Sequence, residues 1–182
     1  MEYVIGVDLG TSAVKVLMLG QDGRVKETWT ESYSLYQEHS GYSEQDPEQW
    51  VTKTKIALKN LLRKSGIHAE EVKGISFSGQ MHGLVLLDEI GTPLRRAILW
   101  NDTRTSAECR EIEATVGLET LLKNVKNRAF EGFTLPKILW VKRHEPDIFR
   151  RAVCFLLPKD YVRFRLTGKM AIDFSDAAGT LL

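Results

Sequence analysis

Short apolar runs separated by turn residues open the chain. Tyr3-Val4-Ile5-Gly6-Val7-Asp8-Leu9 is one run and Ala13-Val14-Lys15-Val16-Leu17-Met18-Leu19 the next. Both are rich in residues that suit a pleated strand. Gly10-Thr11-Ser12 supplies a turn between them, and Asp22-Gly23 signals a tight hairpin turn, which needs positive φ. A third strand over residues 25–33 follows, so three consecutive antiparallel strands are predicted.

The period then changes. Asp46-Pro47-Glu48-Gln49 reads as a helix start, with Asp46 as cap, Pro47 at the first helical position and Gln49 completing a capping box. Trp50, Thr54, Ala57, Leu58, Leu61 and Leu62 recur on one helical face, and Gly66 ends the element. Strand character returns at residues 72–78, then at 84–87 and 97–99, the last two separated by Gly91-Thr92-Pro93. Beyond Trp100 the segments 106–115, 135–143 and 159–166 carry the mixed faces of helices, and 170–173 is predicted as one more strand. There is no internal repeat, low-complexity tract or linker-like run. The pattern is α/β.

Composition narrows the function classes. A chain of 182 residues can bury the core of one domain, and 43% hydrophobic with 27% charged residues is ordinary for a globular protein. The 25 basic and 24 acidic residues nearly cancel, which gives no electrostatic case for binding nucleic acid or a membrane surface. Cys109 and Cys154 fit no metal-ligand spacing and read as reduced, buried thiols. No apolar stretch approaches the roughly 20 residues that span a bilayer. Met1-Glu2-Tyr3 leads directly into a strand pattern, unlike a signal peptide, so a cytoplasmic location is expected.

Two segments carry candidate chemistry. In Asp8-Leu9-Gly10-Thr11-Ser12 the glycine admits close approach of a ligand, and Thr11 and Ser12 add hydroxyls beside exposed amides. That turn can hold phosphate oxygens, with Lys15 adding positive charge and Asp8 holding magnesium through water. A plain hairpin with Asp8 accepting turn hydrogen bonds is the alternative. Gly79-Gln80-Met81-His82-Gly83 follows a strand end, where ligands of α/β sheets collect. A neutral imidazole both donates and accepts, which suits a polyol, and Met81 offers an adaptable apolar wall. Met81 as core and His82 as turn cap is the alternative, which chemistry alone slightly favours. Trp100-Asn101-Asp102 repeats the arrangement: an aromatic face for a sugar and two hydroxyl-binding groups, or a core tryptophan followed by a helix cap.

The order of hairpin, third strand, crossover helix and strand resembles the actin-like ATPase domain of the ribonuclease H-like superfamily. Within it, Asp8-Leu9-Gly10-Thr11-Ser12, Ser43 through Trp50, Gly79-Gln80-Met81-His82-Gly83 and Trp100-Asn101-Asp102 together resemble the xylulokinases of the FGGY carbohydrate-kinase family. Segments 132–144, 157–161 and 175–180 are similar to further family segments, so the resemblance covers essentially the whole chain. It implies a partial domain with a mixed sheet opening on three antiparallel strands, plus a helical insertion. It implies ATP and Mg2+, with D-xylulose as acceptor and D-xylulose 5-phosphate as product. Gln80, Met81, His82, Trp100, Asn101 and Asp102 would face the sugar, Gly10, Thr11, Ser12 and Lys15 the phosphates, and Asp8 the metal. Kinases for gluconate or glycerol are disfavoured by Gln80-Met81-His82, and a non-catalytic sugar-binding module or actin-like nucleotide switch is the other class.

The family's catalytic aspartate sits in a Gly-Asp segment with no counterpart in residues 1–182. Asp173 and Asp176 do not match it, and Asp176 reads as a turn or capping residue. The chain is therefore expected to be an incomplete N-terminal domain, inactive alone, with its base and its adenine-binding second domain beyond Leu182. Apolar surface left exposed by such truncation is expected to favour a homodimer.

Overall fold

The computed structural model describes residues 1–182. Strands β1 (Tyr3–Leu9), β2 (Ala13–Gly20) and β3 (Val25–Ser32) form the predicted antiparallel meander, followed by a two-residue β4 (Glu44–Gln45). Helix α1 (Pro47–Ser65) then crosses to β5 (Val72–Gly79), which pairs parallel to β1. The sheet is thus mixed, in the order β3-β2-β1-β5. β6 (Val85–Leu87) and β7 (Ala97–Ile98) are short, and β7 pairs with β4. The remainder is largely helical: α2 (Ser106–Val116), α3 (Leu118–Asn124), α4 (Thr134–His144), α5 (Pro146–Arg151), then β8 (Cys154–Leu156) against β6, α6 (Pro158–Thr167) and α7 (Phe174–Ala177).

Alternation explains the sheet. Tyr3, Ile5, Val7 and Leu9 of β1 and Val14, Val16 and Met18 of β2 point to one face and are buried. They meet Trp50, Val51, Ala57 and Leu61 of α1 and Tyr161 and Val162 of α6 in a single core. Burying each large member of that cluster contributes about 1.5–3 kcal/mol. The other face is left uncovered at Val4.

The helix start differs in one detail from expectation. Asp46 caps α1 by accepting from the Glu48 amide at 2.9 Å, but Gln49 closes no capping box. Its Oε1 instead accepts from the Ser34 amide at 2.5 Å, tying α1 to the segment after β3. Gly66 ends the helix at φ 70°, the left-handed conformation glycine adopts without a Cβ clash.

Residues 170–173 form no strand. The Ala171 carbonyl accepts from the Arg163 side chain and Asp173 pairs with Lys159 at 2.5 Å, so side chains of α6 hold this segment across a cavity from the edge strand β5. The backbone then runs irregularly to α7, where Asp173 caps by accepting from the Asp176 amide at 2.9 Å. Asp176, expected as the cap, pairs with Lys159 at 2.6 Å. Both cysteines are free, Cys109 buried and Cys154 half-buried, and burial pushes the Cys109 thiol up to about 11. No helix is long and apolar enough to cross a membrane.

Candidate functional site

Parallel pairing of β1 and β5 brings their carboxyl ends together. Leu9 pairs with Gly79, and the Gln80 amide donates to Leu9 O at 2.7 Å. The approach is close because Gly79 lacks a Cβ, which would lie 2.7 Å from both the Cβ and the carbonyl oxygen of Leu9. The turn at residues 10–12 and the bend at residues 80–83 therefore share one rim of the sheet.

Hydrogen-bond accounting gives the turn a polarity. The Gly10 carbonyl accepts from the Tyr33 hydroxyl, the Thr11 carbonyl from Gln45 Nε2 at 2.7 Å and the Ser12 carbonyl from the Tyr33 amide at 3.3 Å. The amides of the same three residues donate to no protein acceptor. Carbonyls are thus taken up by the protein, while three N–H groups are left for an anion. Asp8 and Lys15 are direct cross-strand partners, Asp8 also adjoins Ser78, and both charged side chains are exposed on the face opposite the core. Burial, then the neighbouring Asp8 charge, holds the Tyr33 hydroxyl well above its ordinary pKa, so it stays a donor.

Gln45 is the buried hub that sequence reasoning left without a role. Its Oε1 accepts from Trp50 Nε1 at 3.0 Å and from Gln80 Nε2 at 3.1 Å, while its own amide reaches the phosphate-type turn. The signal was a polar residue just before the capped start of α1.

The bend itself is held in an uncommon shape. His82 has φ 61°, which costs a non-glycine residue about 1 kcal/mol or more. The Gly83 amide donating to Met81 O at 2.7 Å and Thr134 Oγ1 donating to His82 O at 3.1 Å hold it there. The imidazole packs edge-on to Phe133 at 4.9 Å and lies against Gly179, where a Cβ would fall 2.0 Å from its Cε1. Burial, then the Lys137 charge, lowers the His82 pKa, which favours the neutral ring. His82 Nδ1 and Gln80 Oε1 are buried without a well-formed hydrogen bond, although Gly179 backbone lies beside the former. Met81 is 47% exposed and Trp100 46%, so both offer apolar surface to a ligand.

Trp100 Nε1 donates to Thr11 Oγ1 at 3.0 Å, which places the indole beside the turn. Asn101 is exposed next to it. Asp102 is turned inward instead: it is fully buried and accepts from the Ser43 amide at 2.6 Å. It also takes a forked pair from Arg104, at 2.9 Å from Nε and 2.7 Å from Nη2. Its oxygens are occupied within the protein, and it anchors the loop that carries Trp100 and Asn101.

A mixed sheet whose first hairpin offers free amides, with a polar-aromatic wall on the same rim, is the arrangement of an actin-like ATPase domain. The chain matches the N-terminal domain model of the FGGY family of carbohydrate kinases over residues 3–182, and it belongs to that family. It is 57% identical over 182 residues to the xylulose kinase of Bacillus subtilis strain 168, covering 100% of this chain and 36% of that protein. Among solved structures, a protein from Brucella ovis named a xyloylose kinase superposes with a TM-score of 0.92 at 42% identity, over 99% of this chain and 37% of that one. The xylulose kinase from Rhodospirillum rubrum superposes at 0.94 with 28% identity, over 99% and 37% respectively. The chain thus spans 36% of the length of the curated relative it matches.

Proposed function

We propose that the protein containing this chain transfers a phosphoryl group from MgATP to D-xylulose, and that residues 1–182 supply the acceptor wall and one phosphate hairpin. The observation that carries the reading is the Trp100–Thr11 hydrogen bond, which joins the sugar-facing wall to the donor-rich turn. Acceptor and phosphate are then neighbours, as transfer requires. The xylulose kinase names of relatives sharing up to 57% identity over the whole chain support the choice of sugar.

In this reading the amides of Gly10, Thr11 and Ser12 and the charge of Lys15 hold phosphate oxygens as negative charge shifts during transfer. Met81 and the Trp100 indole bracket the carbon face of the sugar, and Gln80, His82 and Asn101 meet its hydroxyls. Gln80 Oε1, buried with no hydrogen-bond partner, is the polar atom a polyol would satisfy. Asp102 acts indirectly, by fixing the loop. A single exposed carboxylate at a strand end beside a phosphate turn fits magnesium, which keeps much of its water shell, so Asp8 would hold that ion. The metal supplies charge neutralisation to the phosphates. A carboxylate outside these residues takes the proton of the attacking hydroxyl, so this chain alone turns over no ATP. Two free thiols suit action in the cytoplasm.

Calorimetry of the chain with D-xylulose tests the wall, with affinity expected to fall at least about tenfold in His82→Ala. Coupled assays of the longer protein with D-xylulose, gluconate and glycerol test the chemistry. Faster turnover of gluconate or glycerol would remove xylulose as the acceptor, and sugar binding without any phosphoryl transfer would leave a sugar sensor.

A further inference from the structure

Lys137 is a lysine with no access to solvent, in the first turns of α4. Its ammonium donates to three consecutive carbonyls: Glu131 at 3.0 Å, Gly132, and Phe133 at 2.9 Å. All three donors of the group are therefore used on one loop. Burial pulls its pKa down to about 7, while the three acceptors favour the protonated form.

That loop touches both walls of the proposed sugar pocket. The Phe133 ring meets His82 edge-on, and the next residue, Thr134, bonds the His82 carbonyl. Gly132 packs on the Trp100 carbonyl so closely that a Cβ would lie 2.9 Å from the oxygen. Glu131 accepts from Ser106 and, through its carbonyl, from Thr105 Oγ1 at 3.3 Å, which ties the loop to the start of α2. Without a cation at its centre, three carbonyls would converge on an uncompensated point.

We propose that Lys137 is a positioning residue for the sugar: its three-carbonyl clamp fixes residues 131–134, and through them the orientation of His82 and the distance between His82 and Trp100. This rests on the sugar-kinase reading of the pocket, but its structural half does not need sugar to be tested.

The experiment is NMR of the His82 imidazole and the Trp100 indole N–H in the intact chain, with D-xylulose calorimetry alongside, on Lys137→Met, Lys137→Arg and Thr134→Val. Lys137→Met is expected to shift both side-chain resonances, to raise the His82 titration midpoint and to weaken D-xylulose at least about tenfold. Lys137→Arg, which keeps a cation, is expected to recover part of each change. Thr134→Val keeps the clamp and the volume but cuts the loop from His82. It serves if Lys137→Met does not fold, and it is expected to move the His82 resonances and weaken the sugar likewise. Folded variants with unchanged His82 and Trp100 resonances overturn the clamp. Resonances that move in the absence of any D-xylulose binding by the unmodified chain leave the clamp standing and remove the choice of sugar.

Discussion

The indole Nε1 of Trp100 donates to the Thr11 hydroxyl at 3.0 Å across 89 residues of sequence. A side chain read as a sugar platform and one read as a phosphate ligand are thereby a single unit. The pair is open to solvent on the indole side, so its coupling is modest. A double-mutant cycle of Trp100→Phe and Thr11→Val, followed by urea unfolding, is expected to give about 0.5–1 kcal/mol of interaction. Additive effects would show that the two sites are independent.

Gly179 lies where a methyl group would overlap the imidazole, 2.0 Å from Cε1 and 2.4 Å from Nδ1 of His82. Its φ is not in the left-handed region, so alanine meets no backbone objection and His82 must move instead. Gly179→Ala is expected to leave the far-ultraviolet circular dichroism unchanged and to weaken D-xylulose binding at least about tenfold. Retained affinity in a folded variant would show that His82 does not meet the sugar.

Asp102→Asn separates an anchoring role from direct sugar binding. The exchange leaves Arg104, whose side chain is 2% exposed, with Glu44 as its remaining anion. Breaking a buried pair costs about 3 kcal/mol or more, and Glu44 reduces this, so about 2 kcal/mol is expected by chemical denaturation. A variant of unchanged stability that loses only sugar affinity would make Asp102 a direct ligand.

Acid should loosen the end of the chain first. The Lys159 hydrogen bond, then Ser175 and the Asp176 amide, hold the Asp173 carboxyl well below the usual aspartate range. A depressed folded-state pKa contributes stability that is present above the unfolded value near 3.8 and is lost as pH falls below it. Amide exchange at α7 is expected to accelerate below about pH 4 ahead of the central sheet, and Asp173→Asn should abolish that difference. Equal acceleration at β1 and α7 would refute it.

Elements whose cause is local are legible in the sequence. The meander of β1, β2 and β3 follows from period-two alternation and the Asp22-Gly23 turn, and α1 from Asp46, Pro47 and Gly66. Helices α2, α4 and α6 appear where the apolar and charged faces placed them, while α3, α5 and β8, at 7, 6 and 3 residues, are too short for a repeated pattern to stand out. Residues 170–173 form no strand for a related reason: an apolar run states that a segment can pair, while its contacts with Arg163 and Lys159 of α6 decide that it does not.

The site divides along the same line. The sequence alone established the donor-rich turn, the His82 bend and the Trp100 loop as chemically apt segments, because glycine spacing and residue type are properties of a few neighbouring positions. Tertiary structure decided which atoms of those segments remain free. Asp102 is spent on Arg104 and Ser43, the Gly10 and Thr11 carbonyls on Tyr33 and Gln45, and Lys137 on a loop. Each partner is brought in by packing, and a buried polar group must bond whatever packing places beside it.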